Sequence, residues 1–303
     1  MNMKARVMQT LRITTVLLLC SLCHSGLATA TDDAAALRKQ YAALKQQLSS
    51  NQFQRALHLN SVESPATLRG DIYAIVNYPF ASVNGALNDP EKGPANWCDA
   101  LMLHINIKYC QASSGSNGKR LSVDIGRKAE QLLGAVYRVE FNYQVSAASP
   151  EYFQVDLNAD SGPFGTRDYR IVLEAVALDG KRTFMHLTYS YSYGMAASMA
   201  MKAYLATIGS DKVGFTSIGR QSNGQPSYID GVRGVVERNT MRYYLAVDAY
   251  LSALTLPAAK RLEKRLSNWF STTEKYARQL HEMERLEYMQ MKYQEYQRQH
   301  TAQ

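Results

Sequence analysis

The stretch that decides the fold runs from Tyr169 to Tyr193: Tyr169-Arg170-Ile171-Val172-Leu173-Glu174-Ala175, the turn Asp179-Gly180, then Thr183-Phe184-Met185-His186-Leu187-Thr188-Tyr189-Ser190-Tyr191-Ser192-Tyr193. Both halves alternate with the period of two that marks a half-buried strand. Asp-Gly between two such runs is a hairpin signal. In the second half Thr183, Met185, Leu187, Tyr189, Tyr191 and Tyr193 share one face, and Arg182, His186, Thr188, Ser190 and Ser192 the other. A face so rich in apolar and phenolic groups has to be covered or has to line something.

Upstream of the hairpin the same alternation recurs. Leu121, Val123 and Ile125 share a face, then Tyr137, Val139, Phe141, Tyr143 and Val145, then Phe153, Val155, Leu157 and Ala159. Short turns between successive runs, with Asn117-Gly118 the sharpest, predict an antiparallel meander with one apolar face. An earlier strand is expected over Gly70–Val76, stopped at Tyr78-Pro79 because the residue before proline resists a helix. A short helix follows over Ala81–Asn88, then the polar loop Asp89–Pro94.

The segment from Pro94 to Cys110 has two readings. As one continuous strand it would hold its ends roughly 30 Å apart, whereas bridged cysteines need Cα atoms within about 7 Å. A helix from Pro94 to about Leu103, turning into a strand over Ile107–Ala112, permits the bond and is the expectation. Such a bridge contributes on the order of 3 kcal/mol.

The bridge is expected because the chain opens as an export signal. Lys4, Arg6 and Arg12 are followed by the apolar Ile13–Cys20, and Ala28-Thr29-Ala30 is an A-x-A cleavage site. The apolar run is too short for a membrane anchor, which needs about 20 residues. Cys20 and Cys23 follow leucine, where a lipobox would have a small residue. Cleavage near Ala30 places the protein in the periplasm or outside the cell, an oxidising space in which the remaining pair Cys98 and Cys110 bridge. The net charge of +8 is scattered rather than clustered, which argues against nucleic acid and leaves weak, transient contact with anionic membrane surfaces.

The organisation read from this is a signal over 1–30, an N-terminal helix over 31–55, a main domain over 56–256 and a charged C-terminal helix over 257–303. Thr31 is the expected cap of the first helix, with Asp32 and Asp33 at its positive end. Its narrow stripe Leu37, Tyr41, Leu44, Leu48 predicts packing on another helix. Two helices cover the sheet, one over Gly194–Ile208 with Met195, Met199 and Met201 as core filling or adaptable lining. The other is a long one over Gly234–Leu254 carrying Met241, Tyr244, Val247 and Leu251. Beyond Pro257, Leu262, Leu266, Trp269, Thr273, Tyr276, Leu280 and Met283 follow a coiled-coil spacing. That helix is expected to pair with the N-terminal helix or to extend towards a protein partner, fraying beyond Tyr296.

This element order over about Ala56–Leu254 resembles the helix-grip fold of the START-like (SRPBCC) superfamily, which includes lipid-transfer domains and polyketide cyclases. The runs Asn96-Trp97-Cys98, Lys212-Val213-Gly214-Phe215 and Glu237-Arg238-Asn239 look like family features. The resemblance implies an α+β fold, a curved antiparallel sheet around a long C-terminal helix, and a hydrophobic ligand held between the two. Tyr143, Leu187, Tyr189, Tyr191, Tyr193, Met241, Tyr244 and Asp248 are the expected ligand-binding residues. Apolar walls with a few hydroxyls suit a lipid-like or aromatic molecule.

Catalytic candidates are sparse. His104 lies at the helix–strand junction, His186 on a polar strand face, and Asp248 one turn from Tyr244, where it would need Arg238 or a tyrosine as partner. HExxH, paired CxxC, G-x-S-x-G and phosphate-cradling glycine loops do not occur, so no metal and no cofactor are expected. Three readings stand: an exported carrier of a hydrophobic ligand, with enzymatic activity the less expected; a cyclase- or hydrolase-type enzyme on the same scaffold; and an envelope protein acting through its C-terminal helix.

Overall fold

The computed structural model describes residues 25–301 except Asn117 and Ile208. The expected export signal up to residue 24 lies outside the described residues. An eight-stranded antiparallel sheet has the order β1-β2-β8-β7-β6-β5-β4-β3. Its strands are β1 (Leu57–Ser64), β2 (Thr67–Val76), β3 (Ile107–Gly115), β4 (Gly118–Ile125), β5 (Tyr137–Ser149), β6 (Tyr152–Ser161), β7 (Thr166–Ala177) and β8 (Thr183–Tyr193). The meander from β3 to β8 is the expected one, and Leu173 of β7 sits opposite Leu187 of β8 on the apolar face. Strand β1 is an addition to the expectation. It pairs with β2 and makes a hairpin where the sequence reading began the sheet at Gly70.

Helix α1 (Ser25–Ala43) and the short α2 (Lys45–Ser49) lie on the outer face. Helix α1 starts six residues before Thr31, which therefore stands inside the helix rather than capping it; Ala28 and Ala30 favour helix more than Thr31 favours a cap. The stripe Ala34, Leu37, Leu44, Leu48 is buried against Tyr152, Val176 and Phe184. It packs on a sheet and not on another helix, because the ends of β6, β7 and β8 are apolar on this face too.

On the inner face lie α3 (Phe80–Leu87), α4 (Gly93–Leu101) and the long α6 (Gly231–Leu251), with α5 (Met195–Leu205) beside the last. Helix α4 turns into β3, and the Cys98–Cys110 disulfide closes the pair with a Cα separation of 5.2 Å. Strand β2 and α6 touch so closely that a Cβ on Gly70 would fall 2.2 Å from the Thr240 hydroxyl. A small hairpin, β9 (Ser217–Arg220) and β10 (Pro226–Tyr228), precedes α6.

Residues Thr240–Val247 are buried on every side of α6, because a further helical layer covers its back. This layer is α7 (Ala258–Glu274), α8 (Ala277–Leu280) and α9 (Arg285–Thr301). The heptad-like residues Leu266, Trp269, Leu280 and Met283 are part of the domain's own core. Trp269 stacks on Tyr288 with centroids 4.9 Å apart, and the Tyr276 hydroxyl donates to the Phe53 carbonyl (2.9 Å). The expected coiled coil or outward-reaching helix is therefore corrected: the helix breaks at Lys275–Tyr276 and again at His281–Glu284, folds back, and spends its apolar face internally. Nor does it fray at Tyr296, since α9 continues to Thr301 and Gln299 accepts the Cys110 N–H (3.2 Å). Met195 and Met199 of α5 are 82% and 66% exposed, so neither fills the core. Among the described residues no helix is long and apolar enough to cross a membrane.

Candidate functional site

The space between sheet and α6 holds a run of aromatic side chains. Tyr169 of β7 stacks on Tyr191 (5.2 Å), Tyr191 lies 5.6 Å from Tyr189, and Tyr189 lies 5.0 Å from Tyr243 of α6. His104, in the turn between α4 and β3, stacks on Tyr243 at 4.6 Å. Alternation on β7 and β8 aims Tyr169, Tyr189 and Tyr191 inward, while α4 and the disulfide carry His104 to the far end. Burial holds the Tyr189 phenol well above its ordinary pKa, so it stays protonated.

His104 is 2% exposed. Burial, reinforced by the positive charges of Arg242, Lys292, Lys128 and Lys108, pushes its pKa well below the usual imidazole value, so the ring is neutral. Its Nδ1 accepts the Asn106 N–H (3.2 Å), which places the proton on Nε2. That Nε2–H is buried with no hydrogen-bond partner. A neutral imidazole with a free N–H is a hydrogen-bond donor and not a proton source at neutral pH. An unpartnered buried donor costs about 1–3 kcal/mol, a cost that a guest with an acceptor atom would offset.

The expected lining residues fall into two groups. Tyr189 and Tyr191 belong to the run, and Leu187 and Met241 are fully buried beside it. Tyr143 instead donates to the Leu87 carbonyl (3.1 Å), and Tyr193 to the Ser64 carbonyl (3.2 Å). Tyr244 faces the other end of α6, where the Arg55 guanidinium lies 5.2 Å from its ring centroid and its hydroxyl is buried without a partner. Asp248 is ion-paired at 2.8 Å with Arg55; neither Arg238 nor a tyrosine is its partner, and it lies outside the run. Tyr169 and Tyr243 were missed. Tyr169 shares the inward face of Ile171 and Leu173, but Tyr243 lies off the stripe of Met241 and Tyr244, and only a helix covered on all sides makes it interior.

The rings that should line a tunnel here touch one another. The nearby cleft between α4, α7 and α9 has a volume of about 10 Å³, room for roughly one water. At the rim, the Tyr169 hydroxyl meets that of Thr166 (2.8 Å). Phe164, in the turn between β6 and β7, is 62% exposed, and α5 with its exposed methionines packs against this turn.

The family-like runs are structural. Glu237, fully buried, accepts from Phe215 N (2.5 Å), Thr216 N (2.9 Å), Thr216 Oγ1 (2.6 Å) and Ser61 Oγ (2.6 Å). Arg238 donates to the Val213 carbonyl (3.1 Å), and a Cβ on Gly214 would lie 2.5 Å from Glu237 Oε2. The Trp97 indole donates to the Leu87 carbonyl (3.0 Å).

A second polar cluster lies on the outer face. His186 is held between Asp71 Oδ1 (2.8 Å to Nε2) and Glu174 Oε1 (2.6 Å to Nδ1). Thr188 donates to Asp71 (2.7 Å), Arg69 donates to both its oxygens, and Tyr152 donates to Glu174 (3.0 Å). His186 is therefore no surface histidine. Burial works against its charge, but hydrogen bonds to Asp71 and Glu174 raise its pKa. Burial also opposes the Asp71 charge, yet bonds from His186, Arg69 and Thr188 hold Asp71 down to about 2. Among the described residues no group of three or more His, Cys, Asp or Glu is placed to hold a metal.

The chain is an α+β protein of helix-grip architecture, as its strand order and buried long helix establish. No family model matches it, and no curated protein matches it in sequence. Among solved structures it is similar to the Zhui aromatase/cyclase from Streptomyces sp. R1128, with 11% identity and a TM-score of 0.37 over 67% of this chain and 98% of that one. It is also similar to norcoclaurine synthase from Thalictrum flavum, with 10% identity and a TM-score of 0.34 over 47% of this chain and 77% of that one. A START superfamily protein from Mycobacterium smegmatis gives 14% identity and a TM-score of 0.31 over 47% and 89%. At such TM-scores these likenesses carry no weight for function.

Proposed function

We propose that this protein is an exported binder or carrier of a hydrophobic small molecule, lipid-like or aromatic, held between the sheet and α6. The observation that carries this reading is the unpartnered His104 Nε2–H at the inner end of the run Tyr169–Tyr191–Tyr189–Tyr243. The run offers an apolar wall, and the imidazole offers one fixed donor to orient a guest. Because the rings are in contact, a guest enters by displacing them, and α5 with its exposed methionines lies at the rim they would open towards. Export is supported by the N-terminal sequence and by the disulfide, which suits an oxidising compartment.

Protein purified from the periplasm, examined by native mass spectrometry and solvent extraction, should carry an apolar molecule in defined stoichiometry. Cell fractionation should find the mature chain beginning near Thr31. A clean mass, together with no binding of fluorescent lipid or aromatic probes, would overturn the ligand-binding reading.

A further inference from the structure

The large apolar side chains exposed among the described residues are gathered rather than scattered. Leu132 (80% exposed), Tyr137 (47%), Phe164, Met195 and Met199 come from three stretches: Leu132–Tyr137, Gly162–Thr166 and Gly194–Leu205. Strand pairing brings these stretches to one end of the sheet, with Tyr137 opposite Ile125 and Thr166 opposite Tyr193, two residues before α5. The Tyr137 and Phe164 rings lie 5.0 Å apart, and α5 packs on the Phe164 turn. The rim beside Tyr169 and Tyr191 is therefore one apolar surface. Single exposed apolar residues are ordinary, but a contiguous group marks a site of interaction.

Backbone and charge say what this surface meets. Phe164 has φ +58°, a left-handed conformation that glycine or asparagine adopts readily and a bulky side chain does not. An exposed phenylalanine held there against local preference points to a use for its ring. The three stretches together contain one charged residue, Lys202, while Arg167 and Asp168 beside the turn pair with each other (3.4 Å). On α5, Met195, Met199 and Lys202 recur four and three residues apart and are exposed, whereas Ala197 on the opposite side is buried. A helix with methionines outward and a lysine on the same face fits the boundary between acyl chains and anionic headgroups, where the ammonium reaches the phosphates. Tyr137, with an apolar ring and a polar tip, is of the type that settles at that depth.

We propose that Phe164, Tyr137 and the outward face of α5 form a membrane-docking surface that seats this rim on an anionic bilayer. It names a partner for the ligand-binding reading above and rests on that reading for its purpose: a guest would pass between the bilayer and the run at Tyr169 without crossing water. Docking itself needs no guest, so the two readings fail separately.

The test is sedimentation of the full mature chain with vesicles of phosphatidylcholine mixed with phosphatidylglycerol. The wild type should bind. Phe164→Asn should bind roughly tenfold more weakly, the scale of one aromatic ring left in water, while its urea midpoint holds or rises because the strain is relieved. Met195→Gln combined with Met199→Gln, which keeps helix propensity, should weaken binding by a similar factor, and Lys202→Gln by about fivefold. Leu286→Gln, at a side chain 69% exposed on the back layer, should change nothing. Both native tryptophans, Trp97 and Trp269, are buried, so brominated lipid should quench the added fluorescence of Phe164→Trp. A wild type that stays in the supernatant would overturn the docking surface, and so would equal weakening by Leu286→Gln and Phe164→Asn. A solution dimer that Phe164→Asn dissociates, without vesicle binding, would give the patch to a second copy and overturn it too. Vesicle binding by a protein that carries no guest and takes up no probe would uphold docking and remove the carrier reading.

Discussion

Strand β8 turns His186 and Thr188 towards one face of the sheet and Leu187, Tyr189 and Tyr191 towards the other, and the two faces treat buried polar groups differently. Outside, both nitrogens of His186 and both oxygens of Asp71 meet partners. Inside, the His104 Nε2–H and the Tyr244 hydroxyl meet none. A closed network fixes a geometry; an open one leaves room for something else to complete it. The comparison assigns the outer cluster to stability and, under the proposed function, leaves the inner groups for recognition, although the outer one looks more like an active site.

Breaking the outer network should have the largest effect. Asp71→Ala leaves a buried, doubly hydrogen-bonded histidine with one carboxylate and should cost about 3–5 kcal/mol in urea unfolding; a cost under about 1 kcal/mol would contradict the assignment. Replacing both Cys98 and Cys110 with alanine should cost about 2–4 kcal/mol and loosen the turn that carries His104, seen as faster amide exchange at Asn106.

A smaller effect should appear with pH. The folded state raises the His186 pKa above 6.5, so its contribution is complete below 6.5 and is lost as pH rises through the raised value. Asp71 is depressed from 3.8 to about 2, so its share is complete above 3.8 and disappears as pH falls towards 2. Wild-type stability should therefore decline on the alkaline side of the imidazole range, and His186→Gln should flatten that decline. The finest contrast lies among the tyrosines. Tyr143→Phe loses a bond to Leu87 and should cost about 1 kcal/mol. Tyr244→Phe removes a hydroxyl with no partner and should be neutral or stabilising by up to about 1 kcal/mol. Equal losses at both positions would erase the distinction between partnered and unpartnered buried hydroxyls.

The sheet was legible wherever one face is buried and the other wet. In β5 the buried Val139, Phe141 and Tyr143 alternate with exposed residues, and the sequence shows that directly. The α4–β3 turn was legible because a disulfide cannot span a straight strand. The alternation of Leu57, Leu59 and Ser61 in β1 is too polar to stand out from loop. The C-terminal heptads were real as a pattern, but a stripe looks the same whether it meets a partner helix or the back of α6, and no proline or glycine marks the breaks at Tyr276 and Glu282. The outer cluster draws Asp71, Glu174 and His186 from three strands, and the cations Lys128, Lys212 and Arg242 around Glu282 come from three separate segments. Their proximity is a property of the topology, which no local reading contains.

The covering of β3 by α9 bears on how the molecule behaves among its own copies. Strand β3 forms one margin of the sheet, with its backbone amides and carbonyls turned outward. Lys292 of α9 donates to the carbonyls of His104 and Ile107 at 2.8 Å each, and Gln299 takes the amide of Cys110. The final helix thus works as a hem: a chain ending before Arg285 would present an unfinished border ready to be extended by a neighbour's strand, and would be prone to associate edge to edge.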